Sequence, residues 1–339
     1  MSQVDAHVAV VIPNWNGIDT IKACLNSLRG QTQKHTIVVV ENGSTDGSLG
    51  YLRGEHPEVQ LVVNQKNLGF AGGVNSGIRF ALDHDFDYIA LFNNDAAADK
   101  HWLKELVTTM ETNQHIGIVT SKILKADGAS MDSTGDMYTV WGLPYPRGRG
   151  EHTTDHYDKD TTIFAASGGA SLYRAKMFKD IGLFDKDFFA YYEDVDISFR
   201  AQLADWKVMY EPEAIVYHQV GGTSSKLRGF TTYQTIKNLP WLLIKNVPRR
   251  YMPVVLPRFL LAHTLFVGRA ILRGHGWYAL KGIAACAAKL PQKLRERKEI
   301  QHEKPVTTEY IWQLMTHDLP PNANNLRRLR QIYWRILGK

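Results

Sequence analysis

YIALFNNDAAAD, residues Tyr88 to Asp99, is the stretch whose reading decides the fold. Tyr88 to Phe92 is a continuous apolar run, as in a strand buried on both faces. It stops at Asn93, Asn94 and Asp95, and a helical pattern begins near Lys100. Ligands of open α/β sheets bind just beyond the carboxyl ends of the strands, where a carboxylate and two amides would meet a ligand or metal. Taken alone, the stretch fits an Asx-rich turn equally well, with Asp95 helping to start the next helix. The neighbouring chain decides between the two.

Towards the N-terminus, His7 to Pro13 (HVAVVIP) and Thr36 to Val40 (TIVVV) are β-branched runs of the same buried kind. Between them Ile18, Ile21, Leu25 and Leu28 make a helical stripe. Val59 to Val63 reads as a third strand. It ends in NQKNLGFAGGVNSGI, with glycines at 69, 72, 73 and 77 before a helix through Leu82. Asp87 to Phe92 is the fourth strand and Ile116 to Ser121 the fifth. Strands alternating with helices predict a mostly parallel, Rossmann-like sheet. Right-handed crossovers then put the polar loops Asn14 to Gly17, Glu41 to Gly47 and Asn93 to Asp95 on one edge. Independent turns have no need to share that design, so a common site is the better reading.

From Gly128 to Thr162 the pattern weakens into an irregular excursion or a hairpin over the site. Phe164 to Ala175 reads as a glycine-interrupted strand, Phe184 to Trp206 as a loop entering a helix near Glu193, and Lys207 to His218 as a strand. Beyond Lys226 the character changes. Fifteen Lys and Arg face two acids up to Ile300, so this segment carries +13 in a chain of net +6 and leaves −7 elsewhere. Leu239 to Ile244, Tyr251 to Leu272 and Trp277 to Leu290 are apolar, broken by Pro248, Pro253 and Pro257 and by spaced cations. That pattern suits helices lying in an anionic membrane interface, with a small packed helical domain as the alternative. Nucleic acid is disfavoured, because the cations interleave with aliphatics and not with stacking aromatics. Residues 303–325 read as linker, and Leu326 to Leu337 as a basic amphipathic helix. The expected domains are thus 1–225, 226–300 and 301–339.

With 339 residues, 44% hydrophobic, the chain is rich enough in apolar side chains to pack and is not disordered. Cys24 and Cys286 have no metal or redox spacing and suggest a reducing compartment. The start of the chain shows no signal-peptide pattern. No uncharged run reaches a membrane span; Phe259 to Gly268 is bounded by Arg258 and Arg269.

VVIPNWNG, VVVENGSTDGS, NQKNLGFAGGVNSGI, LFNND, SGGASLYR, YYEDVDISFR and VYHQVGG follow in this order across about residues 7 to 250. The set resembles a family 2 glycosyltransferase of GT-A fold, and within it the rhamnosyltransferase-like branch that builds bacterial surface polysaccharides. Each motif is weak alone; seven in order are specific. The basic tail is similar to the membrane-associated tails of that group. Two departures stand out. Asn93-Asn94-Asp95 keeps only the last carboxylate of the family's Asp-x-Asp or Asn-x-Asp motif, and Glu41 replaces the usual Asp.

The resemblance implies an inverting transfer of a sugar, rhamnose first, from a dTDP- or UDP-linked donor to a hydroxyl of a lipid-linked or growing surface glycan. It implies a cytoplasmic protein, peripheral on the inner face of the cell membrane through its basic region. Pro13, Asn14, Asn16, Glu41 and Asn42 would hold the pyrimidine nucleotide, and Glu41 would accept from its N3–H. Asn67, Gly69, Ala71, Gly72 and Asn75 would approach the nucleoside, since glycine lets backbone come close and a helix N-terminus favours phosphate. Asn93 and Asn94 would lie near ribose or phosphate, and Ser167, Gly168 and Gly169 along the sugar or acceptor channel. Asp95 and His218 would hold a divalent metal, Mg²⁺ or Mn²⁺, against the diphosphate. Asp194 would be the base and Glu193 its neighbour. The same acids also suit a helix first turn, and His218 a strand end bonded to backbone. A non-catalytic nucleotide-sugar binding or scaffolding protein of the same fold is the alternative, kept open by the missing first aspartate.

Overall fold

The computed structural model describes residues 6–153, 157–218, 227–302, 305–321 and 323. The Leu326 to Leu337 helix expected from sequence lies outside them. The chain divides into two compact units, Met1–Asp136 with Pro146–Arg228 and Met137–Tyr145 with Gly229–Lys339.

The first unit begins β1 (Val8–Asn14), α1 (Ile18–Arg29), β2 (Thr36–Asn42), α2 (Ser48–Glu55), β3 (Gln60–Asn64), α3 (Gly69–Asp83), β4 (Tyr88–Phe92). It continues through β5 (Ala96–Ala98), α4 (Trp102–Glu111), β6 (Ile116–Lys125), β7 (Met131–Ser133) and β10 (Thr161–Thr162); β8 (Asp136–Tyr138) and β9 (Pro144–Pro146), which come between β7 and β10 in the chain, belong mostly to the second unit. It ends with β11 (Ala170–Arg174), α5 (Ala175–Ile181), α6 (Glu193–Leu203) and β12 (Lys207–His218). The main sheet has the order β10-β12-β6-β11-β4-β1-β2-β3, with β5 added on β12 and β7 on β6.

The predicted parallel core is present: β3, β2, β1 and β4 run parallel, as do β6 and β12. β1, β2 and β4 are apolar up to their polar ends because both faces are covered. Val8, Val10 and Ile12 join Ile21, Cys24, Leu25 and Leu28 of α1 and Trp102 and Leu106 of α4. Ala9 and Val11 face the other core, with Val74 and Ile78 of α3 and Ile197 of α6. α3 comes so close to the sheet that a Cβ on Gly77 would lie 2.3 Å from Val11 Cγ1.

Three features differ from the sequence expectation. β11 inserts antiparallel between β4 and β6, so the sheet is mixed at its centre. A strand buried on both faces carries no residue pattern that tells its direction. The helix expected near Lys100 starts at Trp102, because Ala96–Ala98 pairs antiparallel with Val216–His218. The excursion forms four short strands: β7 and β10 join the main sheet, and β8 pairs with β9.

The second unit holds α7 (Phe230–Asn246), α8 (Met252–Leu272), α9 (Gly276–His302) and α10 (Thr308–Leu314). Pro253 sits in the first turn of α8, where a missing N–H costs nothing, and Pro257 lies inside the helix without ending it. Of the three prolines expected to break the apolar segments, only Pro248 falls between helices. α10 occupies part of the expected linker. Thr307 caps it by accepting from the Tyr310 N–H, Ile311 is fully buried, and Trp312 stacks on Tyr251 with centroids 4.4 Å apart. Among the described residues one helix, Arg249–Leu272, is long and apolar enough to cross a membrane by length and composition, with mean hydropathy 1.5. It reaches that length only by including Arg258 and Arg269, which bound the shorter run seen in sequence.

Candidate active site

The three polar strand ends meet, tied by neutral amides. Asn94 Nδ2 donates to Asn14 Oδ1 at 2.7 Å, and Asn14 Nδ2 donates to Glu41 Oε2 at 2.8 Å. Thr45 N–H donates to Asn16 Oδ1 at 2.8 Å. Gly17 leaves room for this network: a Cβ there would sit 2.0 Å from Asn94 Nδ2. Glu41 is buried and turned inward. Ser48 Oγ donates to its Oε2 at 3.1 Å and Ser44 N–H to its Oε1 at 3.0 Å, so both oxygens already accept protein hydrogen bonds.

The start of α3 is fixed in the same manner. Asn42 Nδ2 donates to Gly69 O and Asn67 Oδ1, while Asn67 Oδ1 also accepts from Gly69 N–H at 2.8 Å. Gly69 has φ +73°, and its Cβ would be 2.4 Å from the Phe189 carbonyl, which itself accepts from Ala71 N–H. Gly72 packs on Leu68, and Pro13 lies half-buried beside Gly73. Asn75 is apart from this group: its buried amide bonds both the N–H and the carbonyl of Phe184.

Asp95 and His218 are brought together by strand pairing. Register sets His218 of β12 opposite Ala96 of β5, one residue from Asp95. His218 Nε2 lies 3.1 Å from Asp95 Oδ1 and 3.3 Å from Asn93 Nδ2, and its Nδ1 lies 3.0 Å from Asp132 Oδ2. Burial disfavours the imidazolium, but hydrogen bonds and charge from Asp132 and Asp95 more than offset it and raise the pKa to about 9. One carboxylate oxygen and one imidazole nitrogen aimed at each other are a donor set that a divalent cation would fit, and Asp95 and His218 would hold it once the imidazolium proton was lost.

Asp194 stands in the first turn of α6. Its Oδ2 accepts from Gly168 N–H at 3.0 Å and its Oδ1 from Val195 N–H at 2.8 Å. Gly168 permits that approach, since a Cβ would already lie 3.3 Å from Asp194 Cβ. Ser167 Oγ accepts from Gly169 N–H, and Gly169 O accepts from Asn93 N–H at 2.9 Å, linking this loop to the end of β4. Burial raises the Asp194 pKa, against the lowering effect of its backbone donors and Arg149. Glu193 is buried beside it. Phe189, Tyr191 and Tyr192 hold φ of 66°, 71° and 72° just before the two acids. Left-handed non-glycine residues cost roughly 1–3 kcal/mol each, and such strain concentrates where a loop must aim functional groups.

Sequence reasoning names no residue in the excursion, yet the structure draws three from it. Asp132 on β7 accepts from His218 and forms a 3.0 Å ion pair with Arg149. Asp136, at the start of β8, senses Asp194: burial first, then that charge, pushes its carboxyl well above the usual range. Burial opposes ionisation of Asp132, but His218 and Arg149 hold its pKa below normal. The one signal available was two acids around a glycine, DSTGD, within a segment read as covering the site.

Residues 9–182 match the model of the glycosyl transferase family 2, and the chain belongs to that family. It is similar to an N-acetylglucosaminyl-diphospho-decaprenol L-rhamnosyltransferase of Mycobacterium tuberculosis, 28% identical over 54% of this chain. It is also similar to the dTDP-rhamnosyl transferase RfbF of Shigella flexneri, 22% identical over 78% of this chain and 89% of that protein. The match spans 66% of the mycobacterial protein's length, and 61% of that of a Haloferax volcanii hexosyltransferase. In fold, it superposes on GalNAc-T7, solved with UDP, GalNAc and Mn²⁺, with TM-score 0.58 at 17% identity, over 74% of this chain and 49% of that one.

Proposed function

We propose that the chain is an inverting glycosyltransferase of glycan biosynthesis, moving a sugar from a nucleotide diphosphate to an acceptor hydroxyl. The observation that carries this reading is the meeting, at one sheet edge, of the Asp95–His218 pair and the Asp194 carboxylate, joined through Asn93 and the Ser167–Gly169 loop. The amide network of Asn14, Glu41 and Asn94 preorganises the nucleotide side, with Glu41 acting through Asn14 and the Ser44 loop. Asp95 and His218 would hold the divalent metal, which supplies Lewis-acid neutralisation of the departing diphosphate. Asp194 accepts the proton of the acceptor hydroxyl as the new bond forms opposite the leaving group. Its raised affinity for a proton, due to burial, suits a base.

For the donor, dTDP-rhamnose leads, with UDP-sugars next; the names of the mycobacterial and Shigella relatives support rhamnose. For the acceptor, the mycobacterial name supports a lipid-linked glycan. A peripheral position on the inner membrane face fits the second unit, where Leu260, Leu261, Ile271, Leu272, Trp277 and Leu280 are exposed. Leu272 is 89% exposed, and Lys281 Nζ lies 5.1 Å over the Trp277 ring. Interleaved cations and apolar side chains bind anionic interfaces.

The deciding experiment is a donor screen by calorimetry and turnover, with dTDP- and UDP-sugars, with and without Mn²⁺, on anionic and neutral liposomes. Metal-dependent turnover of one donor, enhanced by anionic liposomes at low salt, is expected. Tight donor binding with neither transfer nor hydrolysis under any condition would instead favour a binding module. The single carboxylate of Asn93-Asn94-Asp95, with Asn94 held by Asn14, is the feature that leaves room for that outcome.

A further inference from the structure

His218 can serve a metal through Nε2 only if that nitrogen carries a lone pair, and its other nitrogen decides this. Nδ1 lies 3.0 Å from Asp132 Oδ2, on a residue of β7 that is 5% exposed. The other oxygen of the same carboxylate, Oδ1, lies 3.0 Å from Arg149 Nη2, while Arg149 Nε donates to the Asp132 carbonyl at 2.9 Å. Arg149 therefore bonds the Asp132 carbonyl and faces Oδ1 as its ion-pair partner, which leaves Oδ2 to face the imidazole. A carboxylate oxygen only accepts, so both ring nitrogens donate here, Nδ1 to Asp132 Oδ2 and Nε2 to Asp95 Oδ1 at 3.1 Å; once a metal had displaced the Nε2 proton, the bond from Nδ1–H to Asp132 would keep the remaining proton on Nδ1 and the lone pair on Nε2.

We propose that Asp132 is a positioning residue that fixes the tautomer of His218 for metal binding, and that Arg149 decides which Asp132 oxygen does so. The proposal rests on the reading of Asp95 and His218 as the metal pair. Carboxylates behind a metal-bound imidazole commonly set its orientation and basicity, and their loss costs about 10–100-fold in metal affinity.

The chemistry singles out one substitution. In Asp132→Asn only one side-chain oxygen remains. Arg149, a permanent cation that stands 3.0 Å from Oδ1 in the native ion pair, attracts that oxygen. The amide –NH₂ then faces His218 Nδ1, which must accept, so the proton moves to Nε2 and points at the metal position. Removing the guanidinium frees the amide to rotate and present its oxygen to the imidazole. Asp132→Asn should therefore be rescued by Arg149→Ala.

The test is Mn²⁺ titration of the full chain followed by electron paramagnetic resonance, with and without UDP, and with thermal melting to check folding. His218→Ala should weaken Mn²⁺ binding, and Asp132→Asn should weaken it about 10–100-fold. Arg149→Ala should bind near wild type, and the double variant should return to within about threefold of Arg149→Ala, the tautomer once more being set by an oxygen. Wild-type affinity in Asp132→Asn, with binding lost in His218→Ala, overturns the proposal. So does a double variant as weak as Asp132→Asn, the result that general structural damage would give. If wild type itself binds no Mn²⁺ with UDP present, the reading of the metal pair fails first and the proposal falls with it.

Discussion

Two regions build this site by opposite means. The strand ends at 14–17, 41–47 and 93–95 are joined by side-chain amides, and their one buried acid, Glu41, accepts from Asn14, Ser44 and Ser48. The excursion that follows β6 contributes charge: Asp132 between His218 and Arg149, and Asp136 within reach of Asp194. Satisfied neutral networks fix shape at little electrostatic cost, whereas buried carboxylates near one another shift each other's protonation. The first region is suited to receiving a ligand unchanged, the second to adjusting proton and metal affinity beside the reacting atoms.

The largest expected break comes on the charged side. Asp194→Asn preserves size and leaves an acceptor for Gly168 N–H but removes the proposed base. Turnover should fall about 10²–10⁴-fold, the usual contribution of general-base catalysis. Nucleotide binding, which we assign to the amide network, should be unchanged. Kinetics and calorimetry on the same preparation check both; equal loss of binding and turnover would mean that the two regions do not divide the work.

Gly17→Ala probes the neutral side. The added Cβ would sit 2.0 Å from Asn94 Nδ2 and 2.4 Å from Asn14 Oδ1, so the hydrogen bond between them must break or the loop must move. Forced overpacking costs typically 1–3 kcal/mol. The expected result is weaker nucleotide binding and a lower denaturation midpoint, with Mn²⁺ affinity retained. Loss of Mn²⁺ binding in this variant would show that the neutral network and the metal pair stand or fall together.

The same contrast explains how much could be read in advance. β1, β2, β4 and α1 announce themselves because burial on two faces demands long apolar runs and a helix demands its stripe at Ile21, Leu25 and Leu28. The meeting of their polar ends follows from handedness alone. β11 could be seen as a strand but not as antiparallel, and three alanines gave no warning of β5. Asp132 and Asp136 sit in or beside strands of three residues, too short to show a period. The inward turn of Glu41 depends on Asn14 and Ser48, 27 and seven residues away, and no local pattern encodes it. The roles proposed for Asp95, His218 and Asp194 come from the family resemblance. Spacing alone cannot show that 123 residues of separation close to 3.1 Å.

The smallest effect tests the charged region from within. Burial and the Asp194 charge hold the Asp136 carboxyl protonated well above its usual range, while in the unfolded chain it ionises near pH 4. Between those two values the folded state binds more protons than the unfolded, so this group's stabilising contribution is complete below about pH 4 and is lost as pH rises through the folded pKa. Asn cannot ionise, so Asp136→Asn removes that dependence. Wild type and variant should melt alike near pH 4, and the variant should gain with rising pH. The difference should widen steadily from pH 4 to pH 8, with the variant melting higher. A variant that melts below wild type at pH 8 would mean that ionised Asp136 is stabilised there by Arg149 more than it is opposed by Asp194. The excursion would then be a balanced charge network, and the protonation of Asp194 would follow Arg149 more closely than burial.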